Sequence, residues 1–369
     1  MGHTLKLEKE TRLHPDIAVL HDFVLDHYVT LRPQLSEFLS QAARVAARGG
    51  GNIVADQYLS RGGKAANLAS ALARLGARAH LIARTSKFGH QLAEMFLKPA
   101  GVDTSCIRAD GKLALTVSLE MSDAGRSINI MLSDPGSNGN FSFSDIGTRE
   151  LKVIREAEGV ALADWALNSK GTDLAEGVFK HVGREKLLLI DPGDVSRRQS
   201  GVRGLIDKVL RKGYGILSLN ESEALCLAKT LTGRRMGGGL DSPESQGVRA
   251  ARTLASEFGI RVDLHTRLFS ASFKDDWSVA SPAFRVKVRR VTGAGDSWNA
   301  GNIYAECVGL QDEKRLEFAN ALAAYYISNP RPEHPTRKMV ETLAHSRRNR
   351  RRDLEQLGLD FEPSVHHSS

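Results

Sequence analysis

Val291-Thr292-Gly293-Ala294-Gly295-Asp296-Ser297-Trp298-Asn299-Ala300-Gly301 is the stretch on which the reading of this chain turns. Its small residues permit a tight turn that bares backbone N–H groups. The spacing of Trp298, Gly301, Ala305 and Val308 then predicts a helix that Gly309 ends. A helix opening on glycines offers free amides and a positive dipole end to an anion. Asp296 stands beside that anion site, where a carboxylate would repel the ligand. Two readings account for it. In one, Gly293 to Gly295 form a plain loop and Asp296 is an N-terminal cap. In the other, the Gly293, Ala294 and Gly295 amides hold a phosphoryl group in transfer, and Asp296 takes the proton from the attacking hydroxyl.

A second segment, Gly62-Gly63-Lys64-Ala65-Ala66-Asn67, also opens a predicted helix. Leu68, Ala71, Leu72 and Leu75 form its apolar stripe and Gly76 its stop. It is not a Walker A loop, because Tyr58 stands where a glycine is required and Ala65 where Ser or Thr should bind magnesium. Two glycines would let a ligand approach the backbone closely. Asn67, one turn in, can bond a hydroxyl as both donor and acceptor. Lys64 points at substrate or at solvent, and the sequence does not choose.

Together these segments resemble the ribokinase family, also called the PfkB carbohydrate-kinase family, from about Pro15 to about Pro332. The family's C-terminal signature, D-T-x-G-A-G-D, is matched by Thr292 and the Gly293–Asp296 core, with Arg290 and Val291 in place of the leading Asp-Thr. Its G-G-x-x-x-N signature is matched by Gly62, Gly63 and Asn67. The segment His21–Asp26 is similar to the family's first strand, which ends in a sugar-gripping acid, here Asp26. The N-x-x-E element appears as Asn220 and Glu223 after the apolar run Ile216–Leu219. One departure stands out. The family's T-x-G-x-x-G near the nucleotide phosphates is here Thr266-Arg267-Leu268-Phe269-Ser270-Ala271, with the Thr but neither glycine, which narrows that side of the nucleotide site.

The resemblance implies a ribokinase-like fold: a mostly parallel sheet sandwiched by helices, with a small β-sheet lid. It also implies ATP-dependent phosphorylation of a hydroxyl of a sugar, nucleoside or related polyol. Asp296 is then the base, Asp26, Gly62, Gly63 and Asn67 hold the acceptor, and Asn220, Thr266 and Asn320 border the nucleotide. Mg²⁺ is placed by Glu223 through water. Asn220 and Glu223 also fit a helix capping box, and Asn320 fits a purely structural role equally well. Asp191-Pro192-Gly193-Asp194 ends a predicted strand on the same rim and either reaches ligand or makes a turn. Lys112, Arg126 and Lys170 are candidates to meet a phosphate already on the acceptor, a reading ranked below a plain sugar or nucleoside. The rival is a non-catalytic relative that binds sugar or nucleotide and regulates a partner. A dinucleotide-dependent oxidoreductase is set aside because no G-x-G-x-x-G follows the first strand.

The rest of the chain agrees. Short apolar runs at Ile17–Leu20, Ala79–Ala83, Leu187–Asp191, Ile216–Leu219 and Val262–His265 alternate with helix-period segments, as in a parallel sheet covered on both faces. In such a sheet ligands sit at the carboxyl ends of strands, and Asp26, Asn220 and the Gly293 loop are each expected just after a strand-like run. Residues 52–60 and 113–132 read as extended lid strands, the latter a hairpin turning at Asp123-Ala124-Gly125. A kinase domain over 15–345 and a basic tail over 346–369 are expected. The tail run Arg347, Arg348, Arg350, Arg351 and Arg352 supplies five of the charges behind the net +8. It lacks aromatics that would stack on bases, so no nucleic-acid partner is expected. No run approaches the roughly 18 apolar residues of a membrane span, and Met1–Asp16 has no signal-peptide core. Cys106, Cys226 and Cys307 form no C-x-x-C pair, which suits free thiols in a cytoplasmic protein. In the family the outer lid face is often a dimer surface, which makes a homodimer through the lid an expectation.

Overall fold

A computed structural model of the chain describes residues 14–345 apart from 125, 185, 214, 235, 237–240 and 276, and the side chain of Ser127. The basic run beyond 345 lies outside the described residues. The strands are β1 (Asp16–His21), β2 (Val24–Thr30), β3 (Asp56–Gly62), β4 (Arg78–Arg84), β5 (Ile107–Arg108), β6 (Ala114–Asp123), β7 (Arg126–Asp134), β8 (Gly159–Ala163), β9 (Leu187–Asp191), β10 (Ile216–Leu219), β11 (Arg261–His265), β12 (Phe269–Lys274) and β13 (Trp277–Pro282). The helices are α1 (Leu35–Ala47), α2 (Lys64–Leu75), α3 (Lys87–Leu97), α4 (Thr148–Glu156), α5 (Gly171–Val182), α6 (Gln199–Lys208), α7 (Glu221–Thr232), α8 (Pro243–Phe258), α9 (Ala294–Cys307), α10 (Asp312–Ser328) and α11 (Arg337–His345).

The large sheet runs β13-β12-β11-β10-β9-β8-β1-β4-β5, parallel from β11 to β5 and antiparallel at β12 and β13. Its strands are buried on both faces, so their side chains alternate between two cores. In β8, Val160 and Leu162 share one core with Leu174 and Val178 of α5, while Ala161 and Ala163 share the opposite core with Ala300 and Ile303 of α9. The mostly parallel sheet between helical layers, with a second small sheet, is as expected.

Gly63, at φ 94°, opens α2, and Gly76, at φ 104°, closes it. Gly293, at φ 85°, opens α9. Residues Asp296 to Ala305 of α9 are all buried, because α2 packs on one side and α10 on the other. A Cβ on Gly301 would lie 2.8 Å from the Ala319 Cα, so this glycine sets how closely α9 and α10 approach.

The second sheet is β3-β2-β6-β7, with β2 parallel to β6 and the other pairs antiparallel. The expected extended segments at 52–60 and 113–132 are realised as β3 from Asp56 and the β6–β7 hairpin. His21–Asp26 is not one strand, however. β1 ends at His21 and Asp26 lies within β2 of the small sheet. His21 and Asp22 interrupt the apolar run, but it resumes at once, with Phe23 and Leu25 buried. The turn is made by Asp22, whose carboxylate accepts from the Lys64 and Ala65 amides (3.0 and 2.7 Å). The Gly293 turn likewise does not follow a strand directly, because an irregular stretch separates it from β13.

A buried ionic network ties α9 and α10 to the sheet. Asp263 of β11 accepts from Ser272 Oγ (2.5 Å) and Asn302 Nδ2 (2.7 Å), and it lies 3.2 Å from Arg261 and 3.6 Å from fully buried Arg315. Burial alone would raise its pKa, but the two guanidinium groups outweigh burial and hold it below the usual carboxylate value. Asp263→Ala would remove the one fully buried carboxylate between those cations, leaving Arg261 with Glu306 and Arg315 with Glu306 and Asp312. It should cost about 3–5 kcal/mol of unfolding free energy in urea titration, far more than removal of an exposed pair such as Arg32–Asp56.

Candidate active site

The two glycine turns meet. Asn67 Nδ2 of α2 donates to Asp296 Oδ2 of α9 at 3.0 Å, and both side chains are buried. Lys64 Nζ lies 3.1 Å from Asp191 Oδ2 and 3.6 Å from Asp296 Oδ1, which resolves its direction: it points into the cleft. Asp191 is fixed in turn, accepting from Asn299 Nδ2 (2.9 Å) and the Gly193 amide (2.9 Å), while Ser218 Oγ donates to Asn299 Oδ1 (2.5 Å). The strand-end acids Asp22, Asp164 and Asp191 thus converge around Lys64 and Asp296 at the carboxyl edge of β1, β8 and β9, where an open parallel sheet places its ligands.

The residues expected from the sequence fall into two groups. Gly62, Gly63, Asn67, Gly293, Gly295 and Asp296 line the meeting point. The Asp26 carboxylate packs against Gly62, where an added Cβ would sit 2.3 Å from its Oδ2. Glu223 and Asn220 form a reciprocal capping box at the start of α7, each backbone N–H donating to the other's side-chain oxygen at 2.9 Å. In the second group the polar atoms are taken up by the protein. The Ala294 amide donates to Val291 O (3.2 Å). Thr266 Oγ1 closes the β11–β12 turn, donating to Phe269 O (2.8 Å) and accepting from the Leu268 and Phe269 amides (both 3.0 Å). Asn320 accepts from Trp298 Nε1 (2.9 Å) and donates to Ser281 O and Pro282 O (3.0 and 3.2 Å), which is the structural role. Sequence reasoning missed Asp22, Asp164 and His265. His265 lies beside Gly295, whose added Cβ would be 3.2 Å from the ring, and its ring packs against Trp298.

The electrostatics follow from burial of many acids around one ammonium. Burial pulls the Lys64 pKa down, but Asp191, Asp296, Glu223 and Asp164 outweigh it and hold it well above its ordinary value. Burial raises Asp296, opposed by Lys64 and by the Asn67 hydrogen bond. Burial likewise lifts Asp22 to about 7, Asp26 to about 6 and Glu223 to about 8. His265 is pushed down to about 4 by burial and stays neutral. A carboxyl group whose pKa is raised by folding binds more protons in the native state, so its contribution favours the fold at low pH. That contribution is lost as pH rises from the unfolded value, near 4, through the folded one. Asp22→Asn keeps a cap acceptor for α2 and removes one such charge. Relative to wild type, its melting temperature should therefore be higher at pH 8 than at pH 5, as thermal melts at the two pH values will show.

Comparison with known proteins places this arrangement. No curated protein sequence matched. Among solved structures the chain is similar to a ribokinase from Arabidopsis thaliana complexed with ribose and ATP (21% identity, TM-score 0.69, 90% of this chain and 99% of that one). It is similar also to 2-dehydro-3-deoxygluconokinase from Thermotoga maritima (16%, TM-score 0.71, 90% and 99%) and to a nucleoside kinase of Methanocaldococcus jannaschii (17%, TM-score 0.63, 89% and 97%). At these identities the likeness establishes the fold. The family model described as pfkB family carbohydrate kinase matches residues 38–234, a span that holds the Gly62 turn and the Asn220–Glu223 pair. With more than half its length matched in this way, the chain belongs to the pfkB family of carbohydrate kinases.

Proposed function

We propose that the chain transfers a phosphoryl group from ATP to a hydroxyl of a sugar, nucleoside or related polyol. The observation that carries this reading is the 3.0 Å contact between Asn67 and Asp296. It sets a carboxylate at the start of a glycine-opened helix and next to the side chains suited to hold the acceptor. In this reading Asp296 accepts the hydroxyl proton while Asn67, Asp26 and the Gly62-Gly63 backbone orient the acceptor. The Gly293 and Gly295 amides and Lys64 face the charge that grows on the phosphoryl oxygens. Burial raises the Asp296 pKa, and Lys64 opposes that rise.

Mg²⁺ takes oxygen ligands and retains water, and it would neutralise the nucleotide phosphates when bound. The residues fit it: burial and nearby Asp191 raise the pKa of Glu223, a penalty that a neighbouring divalent cation would relieve. Asn220 and Glu223 are the groups to hold it, through water. The acceptor is read as carrying no phosphate, since Lys112 is exposed and paired with Asp134 at 2.6 Å. The same reading takes residues 15–345 as one cytoplasmic kinase domain with a basic tail, and the small sheet as a lid. Its two faces support that role. Asp26, Ser60, Thr116 and Ser133 share the face on which Asp26 meets the Gly62 turn, while exposed Leu59, Leu115, Ile130 and Leu132 share the other. The apolar face suits a homodimer.

A regulatory binder without activity is the second reading, favoured by the missing glycines after Thr266. A panel of sugars, nucleosides and sugar phosphates with ATP decides between the two, since ligand-induced thermal stabilisation without transfer would support the binder. For the active acceptor, Asp296→Asn should lower kcat by about 10²–10⁴-fold with nucleotide affinity nearly unchanged; a wild-type rate would remove the base assignment. Glu223→Gln should raise the Mg²⁺ concentration needed for half-maximal rate, whereas an unchanged requirement would leave Glu223 as a helix cap alone.

A further inference from the structure

The segment joining α10 to α11, Asn329-Pro330-Arg331-Pro332-Glu333-His334, is gripped by three guanidinium groups. Arg290 donates from Nε to Asn329 O (3.2 Å) and from Nη2 to Pro330 O (2.6 Å). Arg61 donates from Nη1 to Pro332 O (3.2 Å) and from Nη2 to His334 Nδ1 (2.9 Å), and Arg74 donates to His334 O (3.3 Å). The planar fork of a guanidinium group suits two fixed acceptors at once, as a lysine does not. The Arg289 and Arg290 amides both donate to Ile327 O (2.7 and 3.2 Å), so the main chain fastens residues 289–290 to the end of α10 while the Arg290 side chain fastens them to the segment that follows. Tyr326 fills the space between. Its ring stacks on His334 at 4.5 Å, Arg290 lies 5.6 Å over its centroid, and its hydroxyl edge would be 2.9 Å from a Cβ on Gly293. Burial, then Arg61, Arg74 and Arg290, hold His334 neutral, which leaves Nδ1 able to accept from Arg61.

The two main clamps sit beside the two glycine turns. Arg61 immediately precedes Gly62-Gly63, and Arg290 lies three residues before Gly293. We infer that Arg290 is a positioning residue: it fixes the Gly293–Asp296 turn to the 329–334 segment, which Arg61 grips from the other side, so that both glycine turns are held in one frame. Its value to phosphoryl transfer rests on the function proposed above, but the mechanical coupling does not.

The test uses the full-length protein without ligand and reads amide hydrogen–deuterium exchange. In Arg290→Ala, peptides covering 289–297 and 327–334 should exchange about ten-fold faster while β8 is unchanged. Arg290→Lys should be intermediate, and tens of millimolar guanidinium chloride should restore protection to Arg290→Ala. Arg61→Ala should loosen 329–334 and, through it, 289–297. Unchanged exchange at 289–297 in either alanine variant, loosening that extends to β8, or absence of guanidinium rescue would overturn the inference. If Arg290→Ala does not fold, Arg290→Lys carries the same reading. A parallel melt with ADP plus aluminium fluoride separates the two claims. Failure of wild type to respond counts against the kinase reading and leaves the exchange result standing. A wild-type response that is lost in Arg290→Ala, with the response to ADP alone retained, links the clamp to the phosphoryl site.

Discussion

A partly buried ammonium ringed by buried carboxylates sets the terms for the cleft. Lys64 lies within ion-pair distance of Asp191 and Asp296, with Asp164 and Glu223 acting on it from further off. Desolvation makes each of these charges expensive alone. Their mutual attraction makes the arrangement tolerable, and it locks the side chains in place. The chain Ser218–Asn299–Asp191–Lys64 carries this order from the sheet and α9 to the side chain beside Asp296. Such groups need little rearrangement when charge appears on a ligand, which is what electrostatic preorganisation requires.

Backbone geometry brings these groups together. α2 and α9 start on glycines in conformations that other residues rarely adopt, and they pack side by side with their opening turns in register. α9 is apolar or small nearly all round because it is enclosed by α2, α10 and the sheet. Two of the polar side chains it buries, Asn299 and Asn302, each find a carboxylate of a strand, Asp191 and Asp263. The strands that end in acids and the helix that presents Asp296 are thereby keyed to one another.

Much of this was legible in the chain itself. Gly62-Gly63 and Gly293 announce their turns locally, and the apolar stripes beyond them announce the helices. Asp22 and Asp164 were not legible, for different reasons. Asp22 stands between two apolar runs only two polar residues apart, Ile17–Leu20 and Phe23–Leu25, which read as one strand although they serve two sheets. Asp164 follows β8, whose Gly-Val-Ala-Leu-Ala sequence has weak strand propensity although it lies at the centre of the sheet. The pattern of a short apolar run closing on an acid, which identified Asp191, would have found it. The direction of Lys64 and the internal engagement of Thr266 and Asn320 depend on partners distant in sequence, and no local pattern encodes them.

Asp22 bears on the polarity of the cleft. Two helices open toward it on glycines and would, as bare elements, be equivalent attractors of negative charge. The start of α2 is already occupied, because Asp22 takes the Lys64 and Ala65 amides. Its first amides are taken by the chain's own carboxylate, whereas no side-chain hydrogen bond caps the start of α9. Under the proposed function this asymmetry gives the cleft a direction, the hydroxyl-bearing acceptor belonging at the start of α2 and the polyanionic donor at the start of α9.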